Sequence, residues 1–342
     1  MKKTVLIGCA GTGTGFAAVS ALRRTWKHDV NIVCTDINPP HLVTSALLAD
    51  IFEVARPVSD ESYRDELVRL IKAHRVTVYL PLLPEEIIIA ASIKGSAFVP
   101  PYLRILAPSE AFAIKASDKW QTAQLLQGAG LPTPMTYLAS AVEVASHELM
   151  AKPRFGYGSK GVRIVPPGYQ PEGDQEIFQE VCSGPEVTID AFNDPARGFT
   201  WTVCRERIET KAGVSTKCRL YRDLELNELA GRLARAADLV GSFCFQVMRR
   251  HGAWMIIDVN PRPGAATSMC LTTGNDFFSA TFALAFGENY DRHLNDFSGE
   301  CYVTRQYADF RSWISCSILM ERLSVARPGR CRCYLRCYYD MD

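Results

Sequence analysis

The chain has no apolar run near the about 18 residues that a membrane-crossing helix needs. Its first run, Thr4–Cys9, is followed at once by Gly11, Gly13 and Gly15. Met1-Lys2-Lys3 before Thr4-Val5-Leu6-Ile7-Gly8 has the charge of a signal peptide's first half but not its apolar length or its small-residue cleavage site, so it reads as a first β-strand. An excess of one charge is also missing: 38 Lys and Arg against 37 Asp and Glu leave +1. No whole-molecule field draws nucleic acid or an anionic membrane, and neither is expected as a partner. Paired CxxC spacing is absent. Eight of the 12 cysteines stand singly from Cys9 to Cys301, as reduced core thiols of a cytoplasmic protein do. None of the six histidines stands in a Ser-His-Asp setting, and there is no internal repeat.

At 342 residues the chain is long enough for two or three domains. Over residues 1–108, continuous apolar strands (Thr4–Cys9, Val30–Thr35, Val76–Leu80) alternate with helical patterns (Phe16–Arg24, Asp60–His74), which predicts a doubly wound parallel sheet covered on both faces. Residues 109–140 read as a helical connection: Ser109 precedes one helix, Asp118–Gly128 forms a second, and Leu131-Pro132-Thr133-Pro134 forces extension. From Leu149 the runs are short and separated by turn residues, as in an antiparallel sheet, with one amphipathic helix over Leu224–Leu239. The expected division is 141–192 as a small, lid-bearing subdomain and 193–310 as a large one, both α+β. The segment 311–342 differs, with four Cys, six Arg and no Lys. It lacks a periodic apolar face and reads as disordered or non-native; its Cys331-x-Cys333-xxx-Cys337 is a poor zinc pattern.

Four constellations carry chemistry. The first, Gly11-Thr12-Gly13-Thr14-Gly15-Phe16 with Asp36 after the second strand, approximates a dinucleotide fingerprint. Phe16 stands where the last glycine belongs, so the bland reading is a structural turn, in which Gly13→Ala disturbs folding rather than cofactor affinity. The second is Lys152-Pro153 followed by Gly156, Gly158, Ser159 and Gly161. A strand delivers a lysine into a glycine loop whose bare N–H groups suit phosphate oxygens. The third is Gln179-Glu180-Val181-Cys182-Ser183-Gly184-Pro185-Glu186, with carboxylates at two strand ends. The fourth is Asp258-x-Asn260-Pro261-Arg262. Residues i and i+2 on a strand share a face, so Asp258 and Asn260 present hard oxygen donors together, with Gln246 on the preceding strand and Arg262 beyond. Arg205–Lys217 adds four cations in a dense polar stretch between strands, near which the acceptor site is expected.

In order and spacing these elements resemble the ATP-grasp superfamily, and within it single-unit ligases like the large subunit of carbamoyl-phosphate synthase. The resemblance spans roughly residues 1–308 and implies a pre-ATP-grasp domain followed by a two-subdomain α+β ATP-grasp fold. It implies that Lys119 and Lys152 hold ATP phosphates and that Gly156, Gly158, Ser159 and Gly161 form the lid. Glu180, Val181 and Cys182 would read the adenine edge and Glu186 the ribose. Gln246, Asp258 and Asn260 would bind Mg²⁺, or Mn²⁺ in its place, and Arg262 would stabilise the transferred phosphate. Asp258 stands where Glu is commoner, which shortens its reach. A single unit lacks the two-unit arrangement that makes carbamoyl phosphate, so that product is not expected. The implied reaction joins a carboxylate to an amine through an acyl phosphate, in a cytoplasmic enzyme with a homodimer as the candidate assembly. The rival readings are an NAD-dependent oxidoreductase using Asp36 and a non-catalytic ATP-binding relative.

Overall fold

The structure, a computed structural model, describes residues 2–142, 146–156, 161–306 and 308–312. Gly158 and Ser159 of the glycine loop, and the Cys/Arg-rich segment from residue 313, lie outside the described residues.

The first sheet is five-stranded, in the order β3-β2-β1-β4-β5, and parallel throughout. Its strands are β1 (Lys3–Ile7), β2 (Val30–Asp36), β3 (Ile51–Val54), β4 (Val78–Leu80) and β5 (Arg104–Ile105). Because side chains alternate, Val5 and Ile7 enter one core and Leu6 the other. Helix α1 (Gly13–Trp26) covers the first face, and α2 (Tyr63–Ala73) with α3 (Pro84–Ile93) the second. The order reverses between β1 and β4, and the crevice beyond the carboxyl ends of those strands is where ligands bind in such sheets.

Glycine is required in the β1–α1 turn by space. A Cβ on Gly15 would lie 2.7 Å from the Ala10 Cα, and one on Gly8 1.7 Å from Glu86 Oε1. Gly13 is different: its nearest neighbour would be Ala265 Cβ at 3.9 Å, an ordinary contact. The expectation that Gly13→Ala disturbs folding is therefore corrected; Gly8, Gly11 (2.7 Å from Asp36 Oδ2) and Gly15 are the crowded positions. Buried Glu86 fastens the β4–α3 loop, accepting from Tyr79 Oη (2.6 Å), Tyr63 Oη (3.0 Å) and the Leu82 N–H (2.7 Å).

Helices α4 (Glu110–Ser117) and α5 (Lys119–Gly128) lead to two antiparallel sheets rather than one. The smaller has the order β6-β9-β7-β8, with β6 (Thr136–Tyr137), β7 (Leu149–Pro153), β8 (Arg163–Val165) and β9 (Glu176–Glu180); the short α6 (Ala139–Val142) follows β6. The larger has the order β14-β13-β10-β11-β12-β15, with β10 (Ser183–Asp194), β11 (Phe199–Lys211), β12 (Val214–Tyr221), β13 (Gly241–Arg250), β14 (Ala253–Asn260) and β15 (Cys301–Thr304). Residues 183–192, grouped with the lid by the expected division at 192, thus belong to a central strand of the large sheet. Likewise β6 belongs to the small sheet and not to the helical connection. The Arg205–Lys217 stretch does not lie between strands: it is most of a hairpin, whose charges pair across strands, as in Lys217 Nζ–Glu209 Oε2 at 2.9 Å.

One face of the large sheet (Val187, Ile189, Ala191, Phe245) packs on α7 (Leu224–Ala236). On the opposite face Phe192, Val203 and Leu220 share a core with α1 and α8 (Phe277–Phe286). That shared core joins the large sheet to the parallel sheet, with Trp26 edge-on to Phe286 at 5.2 Å and Arg24 paired to Asp276 at 2.6 Å. Among the described residues no helix is long and apolar enough to cross a membrane.

Candidate functional site

The cleft lies between these sheets, with a volume of about 880 Å³. Its floor is a transverse row on the large sheet. Asp258 faces Gln246, Gln246 faces Thr188, and Thr188 faces Arg205 in successive antiparallel register pairs. Directly opposed residues have Cβ atoms about 5 Å apart, so an oxygen-rich end on β13 and β14 and a cationic end on β11 share one surface.

A bulge shapes the oxygen-rich end. Gln246 pairs Asp258 but Val247 pairs Ile256, leaving Ile257 extra. The alternation resets there: Val259 and Ile256 enter the α7 core, while Ile257 and Asp258 both line the cleft. The Ile257 carbonyl accepts from Lys152 Nζ at 3.5 Å. Burial pushes the Lys152 pKa down, and Asp258 nearby opposes that shift. Asn260 Nδ2 donates to Asp258 Oδ2 at 3.2 Å.

The donor set Gln246, Asp258 and Asn260 fits Mg²⁺ in chemistry, being all oxygen, but carries a single negative charge. Among the described residues no group of three or more His, Cys, Asp or Glu could hold a metal. Protein ligands alone are therefore weak, and a bound cation would depend on the ligand's own charge. Arg262 lines the cleft beside this set, its Nη1 donating to the Pro263 carbonyl at 3.0 Å.

The roof comes from α5 and the small sheet. Asp118 caps α5, accepting from the Trp120 N–H at 2.9 Å, and takes a two-pronged pair from Arg154 at 2.9 and 2.7 Å. Lys119 follows the cap, and its Nζ donates to the Gly156 carbonyl at 2.7 Å. Lys119, Lys152 and Gly156 all line the cleft; Gly161 does not, although its neighbour Val162 does.

At the other end of the small sheet, Glu180 lines the cleft, but its carboxylate is engaged. Oε1 accepts from Arg250 at 2.7 Å and Oε2 from the Met135 N–H at 3.1 Å. Each oxygen thus already accepts one hydrogen bond from a structural partner, which fixes the carboxylate at the edge of the cleft. Val181 does not line the cleft, while Cys182 does. Among the described residues the Val181 backbone makes no hydrogen bond, while the Glu180 N–H donates to the Met135 carbonyl at 3.0 Å. Burial pushes the Cys182 pKa up, against Lys152 and Arg250. Glu186 lines the cleft, paired with Arg207.

Of the four cations in the polar stretch, Arg205 and Arg207 line the cleft, and Lys211 and Lys217 do not. Arg205 is buried against Asp190 (2.9 Å) and donates to Ser215 Oγ (2.9 Å). Thr267 Oγ1 also donates to Asp190, at 2.5 Å, which ties the loop after Arg262 to β10. Sequence reasoning missed this network; its available signal was a lone acid, Asp190, between apolar strand neighbours.

The parallel sheet contributes Thr14 from α1 and Pro84, Glu85 and Ile88 from α3, all at the β1/β4 reversal. Asp36 and Gly11 are not lining residues. Asp36 Oδ2 accepts the Gly11 N–H at 2.7 Å, and Oδ1 accepts the N–H and Nδ2 of Asn38. Asp36 thus fastens the glycine turn and stands outside the cleft, which supports the structural reading of this turn.

Comparison with known proteins agrees with this geometry. Residues 116–266 match the ATP-grasp domain family. No curated protein matches the sequence. The fold is similar to that of N5-carboxyaminoimidazole synthetase from Staphylococcus aureus, with 13% identity and TM-score 0.65 over 84% of this chain and 78% of that one. It is similar also to biotin carboxylase from Campylobacter jejuni, with 16% identity and TM-score 0.65 over 88% and 74%. A third is the biotin carboxylase domain dimer of Hydrogenobacter thermophilus 2-oxoglutarate carboxylase, in complex with MgADP, ADP and bicarbonate, with 15% identity and TM-score 0.66 over 88% and 73%.

Proposed function

From the premise that this chain carries an ATP-grasp domain within an ATP-grasp fold, we propose that it is an ATP-dependent ligase joining a carboxylate to an amine, with release of ADP and phosphate. The observation that carries this reading is the convergence in one cleft of Lys119 and Lys152 from above with Gln246, Asp258, Asn260 and Arg262 from below. Lys119 and Lys152 hold the triphosphate, and the low-lying pKa of buried Lys152 rises when it meets phosphate charge. The segment from Gly156 to Gly161 forms the lid. The backbone of Glu180, Val181 and Cys182 borders the adenine, and Glu186 takes the ribose hydroxyls.

Asp258, with the Gln246 and Asn260 amide oxygens, holds Mg²⁺; when bound, the cation neutralises charge on the phosphoryl oxygens. Asn260 must turn its amide to present oxygen, since its nitrogen now faces Asp258. Arg262 stabilises the γ-phosphoryl group as the substrate carboxylate attacks it, and then the acyl phosphate. The amine displaces phosphate from that intermediate. Closure of the lid excludes water, which protects the acyl phosphate from hydrolysis. No nucleophilic Ser, Cys or His is needed. The reading extends to a cytoplasmic enzyme acting on small molecules, with a homodimer as the assembly.

The test is calorimetric titration of MgATP into the protein and into Lys152→Ala, followed by a screen for ADP release across amino acids and small acids, with products identified by mass spectrometry. Loss of nucleotide affinity in Lys152→Ala is the expected result. Unchanged affinity removes Lys152 from the site, and no MgATP binding by the wild type refutes the reading.

A further inference from the structure

Arg207 has no part in the proposed reaction, yet its position is unusual. We propose that Arg207 is a positioning residue for Glu186 and that, through it, the β11–β12 hairpin sets recognition of the ribose diol. This rests on the reading of the cleft as an ATP site.

Glu186 stands where the large sheet gives its side chain little direction. Ser183 pairs Arg249 and Val187 pairs Val247, so Gly184, Pro185 and Glu186 stand opposite the single residue Met248. A carboxylate on such a bulge has three side-chain torsions and no ladder to orient it. The Arg207 fork supplies the orientation. Its Nη1 is bonded to Glu186 Oε1, and its Nη2 donates to the Gly213 carbonyl at 2.8 Å. The second Glu186 oxygen has no partner among the described residues, and the side chain keeps about a third of its exposure. The outcome is an acceptor fixed at one end and open at the other, as a vicinal diol requires.

The same guanidinium fastens the hairpin. Ala212 (φ 48°) and Gly213 (φ 77°) form its tip, both line the cleft, and Gly213 is the residue whose carbonyl Arg207 holds. The Arg207 side chain is 6% exposed, and its Nε is a buried donor with no partner. A buried unpaired donor is destabilising, so the site retains the fork against that cost. A lysine cannot replace it: one ammonium lacks the planar spacing that serves a carboxylate and a carbonyl at once.

The test compares MgATP with Mg-2′,3′-dideoxyATP by calorimetry on the full chain, on Arg207→Met, on Arg207→Lys and on Glu186→Ala, with circular dichroism of each. Wild type is expected to favour ATP by about tenfold or more, the worth of hydrogen bonds to a charged group. Arg207→Met should lose that preference as Glu186→Ala does, with dideoxyATP affinity unchanged, and a variant carrying both Arg207→Met and Glu186→Ala should lose no more. Arg207→Lys, which keeps the cation and stem, should show a reduced preference and decides the matter if Arg207→Met does not fold. Equal weakening of both nucleotides, or an intact preference in the Arg207 variants, would mean a purely structural role and overturn the proposal. If wild type binds both nucleotides alike, the Glu186 assignment and this proposal fall while ATP binding stands; if it binds neither, the ligase reading falls too.

Discussion

Adding one carbon to neighbouring glycines should have opposite outcomes. A Cβ on Gly15 meets the Ala10 backbone at 2.7 Å, and backbone cannot swing aside. Gly15→Ala is therefore expected to destabilise by about 1–3 kcal/mol, as overpacking does. Gly13→Ala, with 3.9 Å of room on the first residue of a helix, should shift stability by less than about 1 kcal/mol. Urea unfolding of both variants checks the contrast, and equal losses would refute it. A second residue-scale expectation concerns Asp258, the one carboxylate among the three oxygen donors. Asp258→Asn keeps shape and removes charge, so circular dichroism should be unchanged while ADP release falls by about 100-fold or more. A folded variant with near wild-type turnover would move the cation elsewhere. The pattern Asp258-x-Asn260 was legible because a two-residue period puts both on one face. That Ile257 joins them on the cleft was not, because a bulge depends on the partner strand.

At the scale of elements, α5 and the segment leading into the glycine loop stand or fall together. Asp118 is 1% exposed, caps α5, and carries the Arg154 fork that follows β7. Burial pushes its pKa up, but the hydrogen bonds from Arg154, Gln121 and the Trp120 N–H outweigh burial and hold it below the usual carboxylate range. Its stabilisation is therefore complete above the unfolded value of about 4 and is lost as pH falls through the lower folded value. Asp118→Ala should cost about 2–5 kcal/mol, from the lost cap and the uncompensated arginine, and should flatten the acid limb of stability against pH. Denaturant melts between pH 2 and 7 measure both; an unchanged acid limb would assign the acid loss to other groups. The N-cap at Ser109 could be read from sequence because a cap is a local signal, whereas Asp118, expected inside its helix, proves to be the cap. Helices α3 and α8 could not be read from sequence: Ile87–Ile89 and Phe277–Phe286 are apolar nearly all round, so no polar stripe marks a 3.6-residue period.

For the whole molecule, the shared core of α1, α8 and the large sheet makes the cleft one unit, since its walls come from all three sheets. MgATP at about 100 times its dissociation constant should then stabilise the protein by about 2.7 kcal/mol, read as a single thermal transition moving upward. NAD should produce no shift, because Asp36 is engaged with Gly11 and Asn38. A saturable NAD shift lost on substitution of Asp36 would reverse that conclusion.

The amino-acid sequence by itself determined the parallel first sheet and the placing of Asp258 and Asn260 on one face of a strand. Each of these rests on local period or on spacing along one strand, which chain geometry converts directly into a face. The tertiary structure decided which groups remain free to act. The Glu180 carboxylate is tied to Arg250 and the Met135 N–H, and that of Asp36 to the glycine turn. Arg205 turned inward to Asp190, while Arg207 took hold of Glu186. These partners lie between about 15 and 70 residues away along the chain. Charge pairing at such separations is set by strand register and core packing, and no local pattern encodes it.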